Sequence, residues 1–338
     1  MKVTMLSRFF DHRTAGLSRV ANTLCAGFAA QDIWVVKVAA SGPGLSDYFK
    51  YLMWEIPSYA FPREKTEDVF HAITPMEAIW TPRDKTVVTV HDLIMLKHPE
   101  FGGSGVGSSW IRQTLASMFA IWGYGRGLRA RYLVCTTEET KADLISHRIP
   151  EERIRVIKLG IGEEFEPHPV PHDTFRIGYL GQLDRRKRVH LLIEFFKALP
   201  DKDVRLWIGG TGTEEGRLKS LAEGDSRITF HGRIPDMALP AFYNSLDAFA
   251  WPTAIEGYGL PAVEAMACRV PVFSWADAII PADIKHRCIN IKALPDFIRG
   301  TCKADRYYLE NNYRFAKSHR WADCIDGYVR LFKEISGK

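Results

Sequence analysis

The chain has 338 residues, 46% of them hydrophobic and 25% charged, with a formal net charge of +5 at pH 7. That length suits two domains of ordinary size, and the composition excludes a disordered chain. Five excess positive charges with no basic tail suit an anionic ligand or an acidic membrane surface, and are too few to argue for nucleic acid.

In chain order, "KVTMLS" from Lys2 reads as a strand and "GLSRVANTLCAGFAA" from Gly16 as an amphipathic helix. The runs "DIWVVKVAA", "DVFHAI" and "KTVVTVHD" follow as buried strands. Then come a helix near 108–124, the strand "RYLVC", a helix from Thr137 to about His147, and the strand "RIRVIKL". Alternation of this kind predicts a parallel sheet covered on both faces. Residues 163–174, "EEFEPHPVPHDT", interrupt it, and three prolines among charged residues predict an exposed, semi-rigid connector. His168 and His172 have a metal-like spacing there, but the prolines forbid the helix that would align them.

The alternation then restarts with "FRIGYLG" and "VHLLIEFFKAL", "VRLWIGG" and "TEEGRLKSLA", and "RITFHG" and "ALPAFYNSL". "DAFAWPT", "LPAVEAMAC" and "VPVFSW" complete a second doubly wound unit. From about residue 304 the chain is helical and aromatic, with Trp321, Tyr328 and Phe332 suited to packing against another domain. The expected architecture is α/β: two Rossmann-like doubly wound domains facing a central cleft. The expected boundaries are an N-terminal domain over 1–167, a linker over 168–174, a C-terminal ligand-binding domain over 175–310, and helices over 311–338 that return to the N-terminal domain. Six scattered cysteines without a Cys-x-x-Cys pair read as reduced core residues. The early charges in "MKVTMLSRFFDH" argue against a signal peptide, and no apolar run is long enough to span a bilayer. The expectation is a cytoplasmic protein, or one on the cytoplasmic face of a membrane.

Two glycine-rich loops follow strands, "GYLGQLDRRKR" and "IGGTGTEEG", where open α/β sheets bind ligands. Neither has the G-x-G-x-x-G spacing, which weakens a nicotinamide-oxidoreductase reading. Each is open to two readings, a tight turn or a close backbone approach to a ligand. In the first loop Arg185, Arg186, Lys187 and Arg188 crowd an expected helix N-terminus, where the macrodipole favours acids. An anion such as a diphosphate between those cations would relieve the conflict.

In "PTAIEGYGLPAVEAMACRVPV" two acids flank a turn. Gly257 and Gly259 allow close backbone approach, and Pro261 suits a first helical turn. Glu264 is placed to accept both ribose hydroxyls and Glu256 those of a sugar beyond the phosphates. The competing reading is a hydrolase acid pair, which leaves the Arg–Lys loop without a purpose. His91, leaving the strand "VTVHD", is a candidate general base or hydroxyl donor, or a satisfied core histidine. Asp201 and Asp203 in "DKD" form an accidental Asp-x-Asp in a polar turn. Finally, "SSWIRQTLASMFAIWGYGRGLRARYLV" interleaves aromatic and arginine residues. It suits either anionic lipid headgroups or an ordinary core helix with a basic end.

These residues resemble a known family, the family 4 retaining glycosyltransferases of GT-B fold, in its mannosyltransferase-like branch. "EGYGLPAVEAMACRVPV" is similar to the signature E-G-F-G-L-P-x-x-E-A-M-A-C-G-x-P-V, with Tyr258 for Phe and Arg269 for Gly. "YLGQLDRRKRVHLLIEFF" resembles the phosphate loop, with Gln182 where Arg is commoner, leaving Arg186 and Lys187 to carry the charge. "DHRTAGLSRV" resembles the N-terminal glycine loop, "VTVHDLIMLKHPE" a His-Asp-Leu segment, and "AKSHRWADC" the C-terminal helix.

The resemblance implies transfer of a hexose from a nucleoside-diphosphate sugar, with retention and without a required metal. Arg186 and Lys187 would stabilise the departing diphosphate, with Gly181 in the same loop and Gly16 closing over the phosphates. Glu264 would hold the ribose. Glu256 with Gly257, Tyr258, Gly259 and Leu260 would hold the donor sugar. His91 would sit near that sugar, and Arg19 would join the closed site. Asp236, after "GRIP", would accept from guanine, which favours GDP-mannose over UDP- and dTDP-sugars. The implied acceptor is a glycan or lipid-linked sugar, met by loops between 42 and 66 and between 100 and 125. A catalytically silent nucleotide-binding subunit is the alternative.

Overall fold

The computed structural model describes residues 1–8, 10, 15–40, 49–57, 68–98 and 110–337. Of the proposed acceptor loops, residues 42–48, 58–66 and 100–109 lie outside them, as does the start of the "DHRTAGLSRV" loop, and residues 110–125 are helical. The chain divides into two compact units, Met1–Gly160 with Arg320–Lys338, and Ile161–His319.

The first unit is built on a six-stranded parallel sheet in the order β2-β1-β3-β4-β5-β6. Its elements are β1 (Lys2–Leu6), α1 (Ala15–Ala30), β2 (Trp34–Val38), β3 (Val69–Ala72), β4 (Thr86–Val90), α2 (Trp110–Gly127), β5 (Tyr132–Cys135), α3 (Glu138–Ser146) and β6 (Ile154–Val156). Every residue of β3, β4 and β5 is buried, as expected of central parallel strands covered on both faces. The β-branched sequence TVVTV suits such a position. Thr137 caps α3 by accepting from the Thr140 N–H at 3.2 Å.

The second unit repeats the plan in the order β12-β11-β10-β7-β8-β9. Its elements are β7 (Phe175–Leu180), α4 (Val189–Lys197), β8 (Val204–Gly209), α5 (Glu215–Ala222), β9 (Ile228–Gly232), α6 (Leu239–Asn244), β10 (Ala248–Trp251), α7 (Leu260–Ala267), β11 (Val272–Ser274), β12 (Ile289–Asn290) and α8 (Arg306–Lys317). On α4, Val189, Leu192, Ile193 and Phe196 recur at helical spacing and are buried against the sheet. Truncating Phe196 to Ala would cost about 3–5 kcal/mol.

Residues 163–174 lie fastened to the second unit. Phe165 is buried with its ring edge-on to Tyr243, Val170 N–H donates to Asn244 O at 3.0 Å, and Glu166 pairs with Lys317 at 2.7 Å. The two final helices part company. Helix α8 belongs to the second unit, whereas α9 (Trp321–Ser336) belongs to the first, where Tyr328 and Phe332 are fully buried against Phe28 and His71.

Candidate functional site

In both units the ligand-competent edge is the carboxyl end of the parallel strands, where α/β loops converge. In the second unit the residue run Arg185–Arg188 takes a shape that the sequence did not suggest. Asp184 accepts from the Lys187 N–H at 3.0 Å and caps a single 3-10 turn, Arg185–Lys187. Arg188 then adopts a left-handed conformation, φ 51°, and α4 starts afresh at Val189. The basic run thus sits at the helix N-terminus but outside its first turn, with Arg188 as the N-cap, its carbonyl accepting from the Leu191 N–H at 3.0 Å. Each cation also meets a carboxylate of the protein itself: Arg185 meets Glu214 at 3.5 Å, and Arg188 meets Asp277 at 2.8 Å.

Arg186 and Lys187 share one partner. Arg186 Nη1 donates to Glu256 Oε2 at 3.0 Å and to the Ile255 carbonyl at 2.8 Å, and Lys187 Nζ donates to Glu256 Oε1. The backbone joins in, with Ala254 N–H donating to Arg186 O at 2.8 Å and Glu256 N–H to Ile279 O at 3.0 Å. Burial alone would raise the Glu256 carboxyl, but Lys187 and Arg186 hold it down to about 2. Burial lowers the Lys187 ammonium, against the pull of Glu256. Asp184 lies 3.9 Å from Arg186, so two cations and two carboxylates form one compact, charge-balanced cluster.

Downstream of Glu256 the turn enters α7 through Gly259, whose φ of 98° only glycine adopts without strain. A Cβ there would also drive into the Trp251 ring. Gly257 is half-buried, whereas Tyr258 and Leu260 are buried, with the Tyr258 ring edge-on to His319. Glu264 is buried in α7 and accepts from the Tyr243 hydroxyl at 2.9 Å. Asp236 begins the 3-10 turn after β9 and is half-buried. Gly181 follows β7 and contacts the β8 loop: a Cβ on Gly210, φ 121°, would fall on the Gly181 carbonyl. The glycine of the second loop is thus required by loop-on-loop packing.

Gly16 and His91 lie in the first unit. Gly16 is the exposed second residue of α1, and Arg19 lies one turn on, half-buried. His91 directly follows β4, anchored by its neighbours: Tyr124 Oη donates to Asp92 O at 2.5 Å, and Thr140 Oγ1 to His91 O at 3.5 Å. Burial lowers the His91 imidazole to about 4, against a hydrogen bond to the Ile73 backbone that raises it. Its Nε2 is buried without a hydrogen-bond partner. With Nδ1–H donated to Ile73, the neutral ring presents a bare lone pair at Nε2. That lone pair can accept a hydrogen bond from a hydroxyl, or a proton as a weak base.

Sequence reasoning missed Asp184 and Tyr243, which orient Lys187 and Glu264. The N-cap pattern Asp-x-x-Lys around the turn is a local signal for Asp184, whereas Tyr243 lies 21 residues from its partner and carries none. Among the described residues no group of three His, Cys, Asp or Glu side chains has metal-holding geometry.

The family "Glycosyltransferase Family 4" matches residues 14–165 and "Glycosyl transferases group 1" residues 161–287. The O-antigen chain mannosyltransferase B of Escherichia coli is 25% identical over 235 residues, 64% of this chain and 55% of that protein. The chain spans about half or less of the length of the curated relatives that it matches first. Among solved structures, WaaG, a glycosyltransferase involved in lipopolysaccharide biosynthesis, superposes with a TM-score of 0.72 at 16% identity, covering 100% of both chains. Anabaena Alr3699/HepE in complex with UDP-glucose gives a TM-score of 0.70 at 15% identity, again over 100% of both chains.

Proposed function

The chain belongs to the group 1, family 4 glycosyltransferases of GT-B fold, and from that premise we propose that it moves a hexose from a nucleoside-diphosphate sugar to a hydroxyl of a glycan or lipid-linked acceptor. The observation that carries this reading is the Arg186–Lys187–Glu256 cluster, a half-buried pair of cations at the carboxyl end of a parallel sheet. In the transfer the bond from the anomeric carbon to the diphosphate oxygen breaks, and its electron pair leaves with the diphosphate. The acceptor oxygen forms the new glycosidic bond on the same face, and its proton passes to the departing phosphate. Arg186 and Lys187 stabilise the negative charge that develops on the leaving group, an effect strengthened by their burial. That electrostatic role is the one a metal would otherwise fill.

Glu264 is assigned to the ribose, Asp236 to the base, and Glu256 with the Gly257–Leu260 turn to the donor sugar. Gly181 and Gly16 are assigned to the phosphates. His91 Nε2 is assigned as the acceptor for a sugar hydroxyl. GDP-mannose is the favoured donor, supported by the mannosyltransferase relative and by Asp236 as an acceptor for guanine. A UDP-sugar is the competing donor, in keeping with the UDP-glucose complex of a protein that shares the fold. The work is expected at the cytoplasmic face of a membrane, with α2 resting on lipid.

The test is thermal stabilisation by GDP, UDP, dTDP and ADP, with EDTA and with Mg²⁺, followed by transfer assays with GDP-mannose and UDP-glucose. A ligand at a hundred times its dissociation constant adds about 2.7 kcal/mol. A shift with GDP in EDTA and turnover of GDP-mannose are expected. Binding without turnover of any donor would identify a silent subunit, and no shift with any nucleotide would end the reading.

A further inference from the structure

Outside this site one buried carboxylate has no part in the chemistry. Glu77 lies in the 3-10 turn Pro75–Ala78 of the first unit and is fully buried. Both of its oxygens accept backbone N–H groups, Oε2 from Thr74 at 3.0 Å and Oε1 from Arg8 at 2.8 Å. The Thr74 arm is an ordinary capping box, T-P-M-E, which tidies one turn. The Arg8 arm is different, since it reaches 69 residues back along the chain.

The two arms join the ends of neighbouring strands. Strands β1 and β3 pair in parallel with Leu6 opposite Ala72, and the Ile73 N–H donates to Leu6 O at 3.1 Å. Just beyond those ends stand Arg8 on one strand and Thr74 on the other. From Thr74 one step back is Ile73, whose carbonyl fixes the His91 ring. We propose that Glu77 is a positioning residue for transfer, fastening the end of β1 to the segment that orients His91. This rests on the glycosyltransferase reading above.

A cap alone does not need burial, and burying a carboxylate is costly. Burial pushes the Glu77 carboxyl up to about 7, against the Arg8 and Thr74 backbone donors and the Arg8 guanidinium, which lower it. Among the described residues Arg8 is the charged side chain whose field reaches it. Two N–H groups converging on two oxygens are met best by the ionised form, because protonation leaves one oxygen a weaker acceptor. A Gln amide puts a donor against one of those N–H groups and opens one arm.

The experiment compares wild type, E77Q and E77D, measuring nucleoside-diphosphate affinity, kcat and KM per folded molecule, and kcat from pH 5.5 to 8.5. E77Q should bind the nucleoside diphosphate within twofold of wild type, because Arg186, Lys187 and Glu264 belong to the other unit. Its kcat should fall about 10- to 100-fold, the effect of a misplacement on the order of 1 Å. Wild-type kcat should fall as pH drops through about 7, and the E77Q profile should be flat there. E77D keeps the charge but is a methylene short, and should lie between the two. Wild-type kcat and KM in E77Q, with only its melting temperature lowered, would overturn the proposal. So would wild-type kcat and KM in E77D, which is decisive even if E77Q does not fold. Loss of both nucleotide binding and transfer in the wild type would instead count against the glycosyltransferase reading.

Discussion

Arg186 reaches Glu256 across 70 residues of sequence and meets its carboxylate at 3.0 Å, while the adjacent Lys187 takes the other carboxylate oxygen. A buried carboxylate with two cations is stable as a set and unstable when one member is removed. Lys187→Ala should therefore destabilise the protein by about 3 kcal/mol and weaken nucleoside-diphosphate binding about tenfold or more. The double variant K187M/E256Q should recover most of the stability and none of the affinity. Urea midpoints and calorimetric titration read the two effects separately. Recovery of affinity in the double variant would remove Lys187 from the diphosphate site.

The same cluster sets a pH dependence. The Glu256 carboxyl titrates at about 2 in the folded chain against 4.5 when free. A depressed carboxyl contributes stability that is present above the free value and lost as pH falls toward the folded one. The contribution is on the order of 3 kcal/mol and should vanish between pH 4.5 and 2. Unfolding free energies of wild type and E256Q should converge across that window, and parallel curves would contradict the pairing.

His91, held neutral with its imidazole lowered to about 4, should not titrate in the working range. His91→Ala should leave nucleoside-diphosphate affinity within twofold and lower kcat about tenfold or more, one lost hydrogen bond to a sugar hydroxyl. The ratio of E77Q to E77Q/H91A rates, a background in which Glu77 no longer titrates, should stay constant from pH 5.5 to 8.5. A ratio that collapses on the acid side would mean that His91 acts as a proton acceptor after all.

Gly210→Ala separates the two meanings of a glycine-rich loop. The new methyl falls on the Gly181 carbonyl, at a backbone φ of 121° that alanine avoids. The variant should lose about 3 kcal/mol of stability. Nucleotide affinity of the folded fraction, read by titration below the melting temperature, should change less than threefold. A large affinity loss at unchanged melting temperature would restore the ligand-contact reading of that loop.

On α2, Met118, Ile121 and Trp122 are 63%, 50% and 48% exposed, and Arg126 stacks on Trp122 and Trp80. Apolar side chains beside a cation suit an anionic bilayer surface. Binding to vesicles containing phosphatidylglycerol should fall at least fivefold in Trp122→Ala and further in W122A/R126A. It should also weaken as salt rises. Equal binding to neutral vesicles would point to apolar adhesion alone.

Much of the fold was legible because parallel sheets are written in short apolar runs, as "TVVTV" and "RYLVC" show. What failed was local backbone detail and distant pairing. Arg188 looks like a helix-starting residue in sequence and is the N-cap of α4, but nothing in the sequence marks its left-handed conformation. No spacing rule reports such a reversal at a non-glycine residue. Glu256 was legible as an important acid, but not as the counterion of Arg186 and Lys187, since contacts across 70 residues leave no periodic trace. The opposite holds for Thr74 and Glu77, whose T-x-x-E spacing was in plain view, while the Arg8 arm that gives it meaning was not. The proline-rich segment is exposed over most of 168–174, as its composition suggests, while the burial of Phe165 and the bond from Val170 N–H to Asn244 O leave no such signal.

Because α9 closes the core around Phe28 and His71, the first unit is discontinuous in the chain. During synthesis its amino-terminal 160 residues emerge without Tyr328 and Phe332, and the wait for them spans the whole of the second unit. At ordinary translation rates that interval is roughly 10–30 s. The second unit, complete at His319, can close on the ribosome before the first one does. The nascent first unit must keep the apolar seat of α9 out of foreign contacts until the last helix arrives. Nascent chains that stop before α9 and chains that include it should therefore differ in chaperone capture, with protease sensitivity concentrated in the earlier-made half.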